Sequence, residues 1–178
     1  MPIETARTRL RQWREPDRDA FAALNAHPEV MHDLGGPIDR RSSDEKFDRY
    51  VMAYETHGFT RWAIETFAGN FLGYAGIMPS RPGHPLGPHT EIGWRLQREA
   101  WGHGYATEAA SAALADGFAR CGLTKVLAYT APDNLRSQAV MERLGLIRVP
   151  SLDYEEPHNG GMWRGLVWIA TASPSFDT

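Results

Sequence analysis

Glu91-Ile92-Gly93-Trp94-Arg95-Leu96-Gln97-Arg98-Glu99-Ala100-Trp101-Gly102-His103-Gly104-Tyr105-Ala106-Thr107-Glu108-Ala109 runs from an alternating apolar stretch, through a glycine-bearing loop, into an alanine-rich segment. That order predicts strand, loop and helix. Glycines at 102 and 104 allow a tight backbone turn just before the helix, whose first N–H groups lack internal partners and lie at the positive end of its dipole. The stretch is therefore a candidate diphosphate cradle. A bare Gly-x-Gly also suits a softened helix entry with no ligand. A dinucleotide fingerprint does not fit, because Thr107 stands where a third glycine belongs and the next strand, residues 126–130, ends without an acidic residue. No Gly-Lys-Ser/Thr follows either, which excludes a P-loop.

Outward from this stretch, residues 105–118 place Ala106, Ala109, Ala110, Ala113, Leu114 and Phe118 at helical spacing, with Gly122 as the helix stop. Asn134 opens a last helix that Gly145 closes. Upstream, residues 8–13 alternate as a first strand, and Pro16-Asp17 starts a helix that His27-Pro28 ends. Ser42-Ser43-Asp44-Glu45 offers a capping-box start for a second helix carrying Phe47, Tyr50, Val51 and Tyr54. Residues 61–67 and 71–78 form a hairpin across Ala68-Gly69-Asn70, and the proline-rich residues 79–89 are expected as an exposed loop. Residues 90–96, 125–130, 146–149 and 162–171 complete the strands. The expectation is a mixed α/β domain spanning 1–178, with a central, mostly antiparallel, twisted sheet of about seven strands and about four helices.

The chain has 178 residues, the size of one compact domain, with 42% hydrophobic and 23% charged residues and no membrane-length apolar run. A net charge of −3 gives no basic field for nucleic acid, and the single Cys121 excludes an internal disulfide. With no apolar signal in residues 1–7, the expected location is cytoplasmic, with neither membrane nor nucleic-acid partners. The histidines at 84, 89 and 158 lack metal-ligand spacing, so no metal is expected.

Trp101-Gly102-His103-Gly104-Tyr105-Ala106-Thr107-Glu108-Ala109 resembles the acetyl-CoA pyrophosphate loop of GNAT N-acetyltransferases, and Asn134-Leu135-Arg136-Ser137-Gln138-Ala139-Val140-Met141-Glu142-Arg143-Leu144-Gly145 resembles their second motif. Thr8-Arg9-Leu10, Asn25-Ala26-His27-Pro28-Glu29-Val30-Met31 and Asp153-Tyr154-Glu155-Glu156-Pro157 extend the likeness to the RimJ/RimL branch over nearly the whole chain. Two departures stand out. Glu99 occupies a position where many members carry Gln or Arg, with Arg98 beside it, and Met141 occupies the place of a frequent tyrosine general acid.

The resemblance implies acetyl transfer from acetyl-CoA directly to a small-molecule or peptide amine, with a protein N-terminus of the ribosomal-protein-alanine type favoured. The competing reading is a noncatalytic acyl-CoA-binding scaffold on the same fold. Backbone groups of Trp94, Arg95 and Leu96 would pair with the pantetheine arm. Residues 101–107 (Trp101, Gly102, His103, Gly104, Tyr105, Ala106, Thr107), aided by Arg98, would hold the pyrophosphate. Of Asn134 and Ser137, one caps the helix and the other faces the coenzyme. Glu91 is the first choice for the base, since an ammonium has no lone pair for attack. Ser137 and its rival Tyr154 are candidates to protonate the leaving thiolate. Glu155 and Glu156 either attract a cationic acceptor or solvate a loop. A homodimer is compatible with the sequence and not specified by it.

Overall fold

The computed structural model describes residues 1–158 and 160–172. Its strands are β1 (Ile3–Glu4), β2 (Thr8–Arg11), β3 (Arg61–Thr66), β4 (Phe71–Pro79), β5 (Thr90–Leu96), β6 (Lys125–Thr130), β7 (Ile147–Arg148), β8 (Tyr154–His158) and β9 (Gly161–Thr171). The helices are α1 (Asp17–Ala26), α2 (Pro28–Met31), α3 (Arg40–His57), α4 (Tyr105–Ala119) and α5 (Leu135–Arg143). The sheet runs β1-β2-β3-β4-β5-β6-β9-β7, with β8 also on β9. Every pairing is antiparallel except β5 with β6.

That parallel pair is the feature that positions the site. β5 keeps its register with β4 from Thr90 to Leu96 but meets β6 only at Glu91 opposite Leu127. Beyond that point the two strands diverge, leaving the edge of β5 at Trp94, Arg95 and Leu96 without a ladder partner on the β6 side. Backbone groups on that edge need another partner, which the Trp101 indole N–H supplies for the Leu96 carbonyl.

The period-2 alternation of the strands sends side chains to two cores. Trp62, Ile64, Ala75, Ile77 and Ile92 pack beneath the alanine face of α4, together with Met141 of α5. On the opposite face Ala63 and Tyr74 meet Phe21 and Leu24 of α1 and Phe47 and Tyr50 of α3. Trp13 closes that second core edge-on to Phe21 and Phe47, at centroid distances of 4.9 and 5.2 Å. Among the described residues no helix is long and apolar enough to cross a membrane.

Several boundaries differ from the sequence expectation for physical reasons. The second helix begins at Arg40, because Asp39 rather than Ser42 is the N-cap and accepts from the Ser42 N–H at 2.8 Å. Ser43 is buried instead, its hydroxyl accepting from Asn25 Nδ2 at 3.1 Å. Pro28 ends α1 and also opens the extra short helix α2, where its missing N–H costs nothing. β1 and β8 are the strands beyond the expected set; β8 is the acidic stretch that reads as a polar loop, and its residues pair with β9 from Tyr154 to His158. The proline-rich segment is not simply an exposed loop, since His84 turns inward and is 7% exposed.

Candidate active site

Two cavities open on either side of the splay. The first, about 1300 Å³, follows the free edge of β5 into the glycine loop and across to α5. Trp94, Arg95, Leu96, Arg98, Trp101, Gly102, Gly104, Tyr105, Ala106, Thr107, Asn134 and Ser137 line it. Gly102 and Gly104 both hold left-handed φ, 78° and 79°, which a residue with a side chain rarely adopts. A Cβ on Gly102 would meet nothing within 4 Å, so its glycine is required by conformation, and the space before it is open. Gly104 is also the N-cap of α4 and makes no side-chain cap, which leaves the first N–H groups of that helix available.

Trp101 is fixed by its indole N–H donating to the Leu96 carbonyl at 3.0 Å. The guanidinium groups of Arg98 and Arg136 lie 4.7 and 4.1 Å from its ring; Arg98 is paired with Glu29 at 2.7 Å, whereas Arg136 has no ion pair among the described residues and brings positive charge to the groove beside the loop. Arg136 did not figure among the sequence candidates, although it sits inside the second motif. His103 does not join them: its side chain is exposed and outside the lining, its ring is 5.7 Å from Tyr105, and its carbonyl accepts from Arg7. Glu99 is likewise outside the lining, whereas Arg98 is part of it.

Asn134 is the capping member of its pair. Its Oδ1 accepts from the Ser137 N–H at 3.2 Å while its Nδ2 donates to Asp33 at 3.0 Å. Ser137 Oγ makes no hydrogen bond among the described residues. Asp33, another residue missed in the sequence, also receives Arg95 at 2.8 and 3.1 Å. It thereby ties the end of the α2 segment to β5 and α5.

The second cavity, about 660 Å³, lies on the α3 side of the sheet. Asp33, Trp94, Arg95 and Ser137 border both cavities, so they meet there. Glu91, Arg61, Tyr74 and Arg95 share one sheet face, and α3 adds Lys46 and Tyr50. Arg61 reaches across the strands to a short ion pair with Glu91, whose side chain is 14% exposed. Gly93 makes this passage possible, because a Cβ there would lie 2.9 Å from the guanidinium carbon. Burial alone would raise the Tyr74 phenol, but Lys46, Arg95 and Arg61 outweigh it and pull it down to about 7.

Tyr154 lines only the second cavity. Its hydroxyl accepts from His84 Nε2 at 3.2 Å, a tautomer set by His84 Nδ1 accepting the Leu86 N–H. Burial, reinforced by Glu156 and Glu91, raises its pKa and keeps it protonated. Glu156 is paired with Arg81 and Glu155 is exposed. The late loop therefore offers the pocket no free carboxylate. Folding also gathers His84, His89 and Glu91, whose ligand atoms lie within 4.8 Å of one another, a constellation that linear spacing does not reveal.

An opened sheet edge that runs into a glycine loop and helix start at one end and meets a polar pocket at the other is an arrangement able to hold two molecules side by side. Residues 7–147 match the acetyltransferase (GNAT) domain family, and the chain belongs to that family of acetyltransferases. It is 34% identical over 146 residues to the Bacillus subtilis (strain 168) protein YkkB, covering 81% of this chain and 84% of that one. The crystal structure of the acetyltransferase from Agrobacterium tumefaciens str. C58 superimposes with a TM-score of 0.80 at 29% identity, covering 97% and 95% of the two chains. RimL, a ribosomal L7/L12 alpha-N-protein acetyltransferase solved in complex with coenzyme A, shares the fold at a TM-score of 0.75 and 14% identity, covering 96% and 98%. The RimJ/RimL likeness is thus supported at the level of fold.

Proposed function

We propose that the chain is an acetyl-CoA-dependent N-acetyltransferase that transfers the acetyl group directly to a primary amine. The observation that carries this reading is the junction at Asp33, Trp94, Arg95 and Ser137, where the coenzyme-sized groove opens into a separate pocket large enough for a small acceptor. The groove suits the donor along its length. The left-handed glycines and the uncapped start of α4 present amides to a diphosphate, with Arg98 and Arg136 beside them. The free edge of β5 offers backbone partners to an extended, amide-bearing arm.

On the acceptor side, Glu91 is placed to take a proton from the amine, directly or through water, so that the nitrogen lone pair can attack the thioester carbon. As the new C–N bond forms and the C–S bond breaks, the departing sulfur needs a proton. Ser137, which borders both cavities and has an uncommitted hydroxyl, is better placed to supply it than Tyr154, which faces only the acceptor pocket. Met141, 2% exposed, fills the place of the usual tyrosine and keeps a noncatalytic acyl-CoA-binding reading as the competitor.

Thermal unfolding with and without acetyl-CoA tests the donor site. A ligand at about 100 times its Kd stabilises the folded state by about 2.7 kcal/mol, a readily measured upward shift. A shift followed by amine-stimulated thiol release supports transfer; a shift with no thiol release from any amine supports the scaffold, and no shift overturns the groove assignment.

A further inference from the structure

The second cavity carries an imbalance of charge that coenzyme binding does not use. Arg61 pairs with Glu91, Arg95 with Asp33 and Arg81 with Glu156, so the three carboxylates of the lining are all engaged. Two basic lining residues are left over. Lys46, whose pKa burial lowers, donates to Asn25 Oδ1 at 3.1 Å and to the acid-shifted Tyr74 phenol at 3.2 Å but has no carboxylate partner, and Arg49 at the exposed rim has no ion pair among the described residues. Arg61 and Arg95 each also keep a buried Nε–H without an acceptor. Arginine and lysine side chains gathered in a concave, low-dielectric site attract and orient an anion far more strongly than the same groups on an open surface.

From this cluster we infer that the acceptor is a small primary amine that also carries a carboxylate, in the manner of an amino acid, with the carboxylate held on the Lys46 and Arg49 side of the pocket. The inference rests on the acetyltransferase reading above and specifies its substrate class. The amine end meets Glu91, which Arg61 already shares, so the lining supplies one carboxylate for the amine and a surplus of positive charge for the carboxylate. A polycationic amine would bring like charge against Lys46, Arg61 and Arg95, and would find only Glu91, already shared with Arg61, in return. The depressed Tyr74 phenol reports the same positive field. The volume of about 660 Å³ suits a small molecule.

Matched pairs test the inference. Thiol release from acetyl-CoA is followed with a panel of α-amino acids, their decarboxylated amines and spermidine as acceptors. The expected result is a kcat/KM at least about tenfold higher for the carboxylate member of an accepted pair, carried mainly by KM. In Lys46→Met that ratio collapses towards unity, and in Arg49→Ala it falls part of the way. Equal use of both members, a preference for spermidine, or an unchanged ratio in Lys46→Met overturns the inference.

A second readout does not depend on turnover: tryptophan fluorescence follows binding of N-acetyl amino acids and of the corresponding N-acetyl amines, since Trp94 borders the pocket. Binding of the carboxylate forms that is lost in a folded Lys46→Met protein supports the anion site even if no amine is acetylated, in which case only the transfer reading fails. No binding of the carboxylate forms to the wild-type protein overturns the anion site, whatever the fate of the coenzyme.

Discussion

The coenzyme-sized groove and the acceptor pocket are built by opposite means. The groove draws on three short stretches, residues 29–33, 94–108 and 133–143, and its distinctive features are of the backbone: an unpaired strand edge, left-handed glycines and a helix start. The pocket draws side chains from α3, β3, β4, β5, β8 and the loop before β5, and holds them by ion pairs and by phenol contacts across the sheet. A backbone site is fixed once the fold is fixed, and it tolerates changes of side chain. A side-chain site can be respecified by a few substitutions while the fold stands. One family can thus keep a donor and change acceptors.

The largest expected effect is on the pocket side. Glu91→Gln keeps an oxygen that can accept from Arg61 but removes the base, and kcat should fall by about 10²-fold or more. The thermal shift produced by acetyl-CoA should persist, because Glu91 lines only the acceptor cavity. A variant with kcat within a few fold of wild type would transfer the proton to some other group and break the assignment of Glu91.

Next in size is a backbone test of the groove. Gly102→Val places a β-branched residue at φ 78° with no protein atom within 4 Å of its Cβ, so any effect comes from conformation or from the ligand's space. Strain of about 1–3 kcal/mol should weaken acetyl-CoA binding by about 5- to 150-fold. The KM for the acceptor should change little at saturating coenzyme. Full affinity in Gly102→Val would show that the loop is not used in this conformation.

The same contrast explains what was legible in the sequence. The glycine loop and the Asn134 helix start were readable because their chemistry depends on neighbours within a few residues, and the alternation of 90–96 placed the strand beside them. The partner of Glu91 was not readable, since Arg61 lies on another strand and reaches it only where Gly93 leaves room. Lys46 reads as a solvated position on an amphipathic helix, and only packing of α3 on the sheet brings it to Asn25 and Tyr74. Asp39-x-x-Ser42 and Ser42-x-x-Glu45 are both plausible helix starts; the structure selects the upstream one and turns Ser43 into a buried partner of Asn25. His103 was placed in the phosphate site by its neighbours in sequence, although the left-handed turns on either side leave its side chain exposed.

A smaller effect is expected at the seam of the two cavities. Asn134→Ala removes the cap on the Ser137 N–H and one of the donors to Asp33, at a cost of about 1 kcal/mol in unfolding by urea. Because Arg95 still holds Asp33 through two hydrogen bonds, both cavities should keep their shape and kcat should drop only modestly. A loss of turnover as large as that of Glu91→Gln would move Asn134 from positioning the seam to touching the reacting groups.

The smallest expected effect is also the sharpest test of a backbone groove. His103 lies between the two glycines, where an imidazolium would be an obvious partner for phosphate, yet its ring is outside the groove and its carbonyl is bound by Arg7. His103→Ala leaves every backbone N–H of the loop in place and removes only an exposed side chain, a change that ordinarily stays within about 0.5 kcal/mol. The affinity for acetyl-CoA should therefore remain within about twofold. A drop of about tenfold would mean that His103 swings into the groove when the coenzyme binds. The loop would then recognise phosphate by a charged side chain as well as by its amides, and the contrast between the two cavities would narrow at its clearest point.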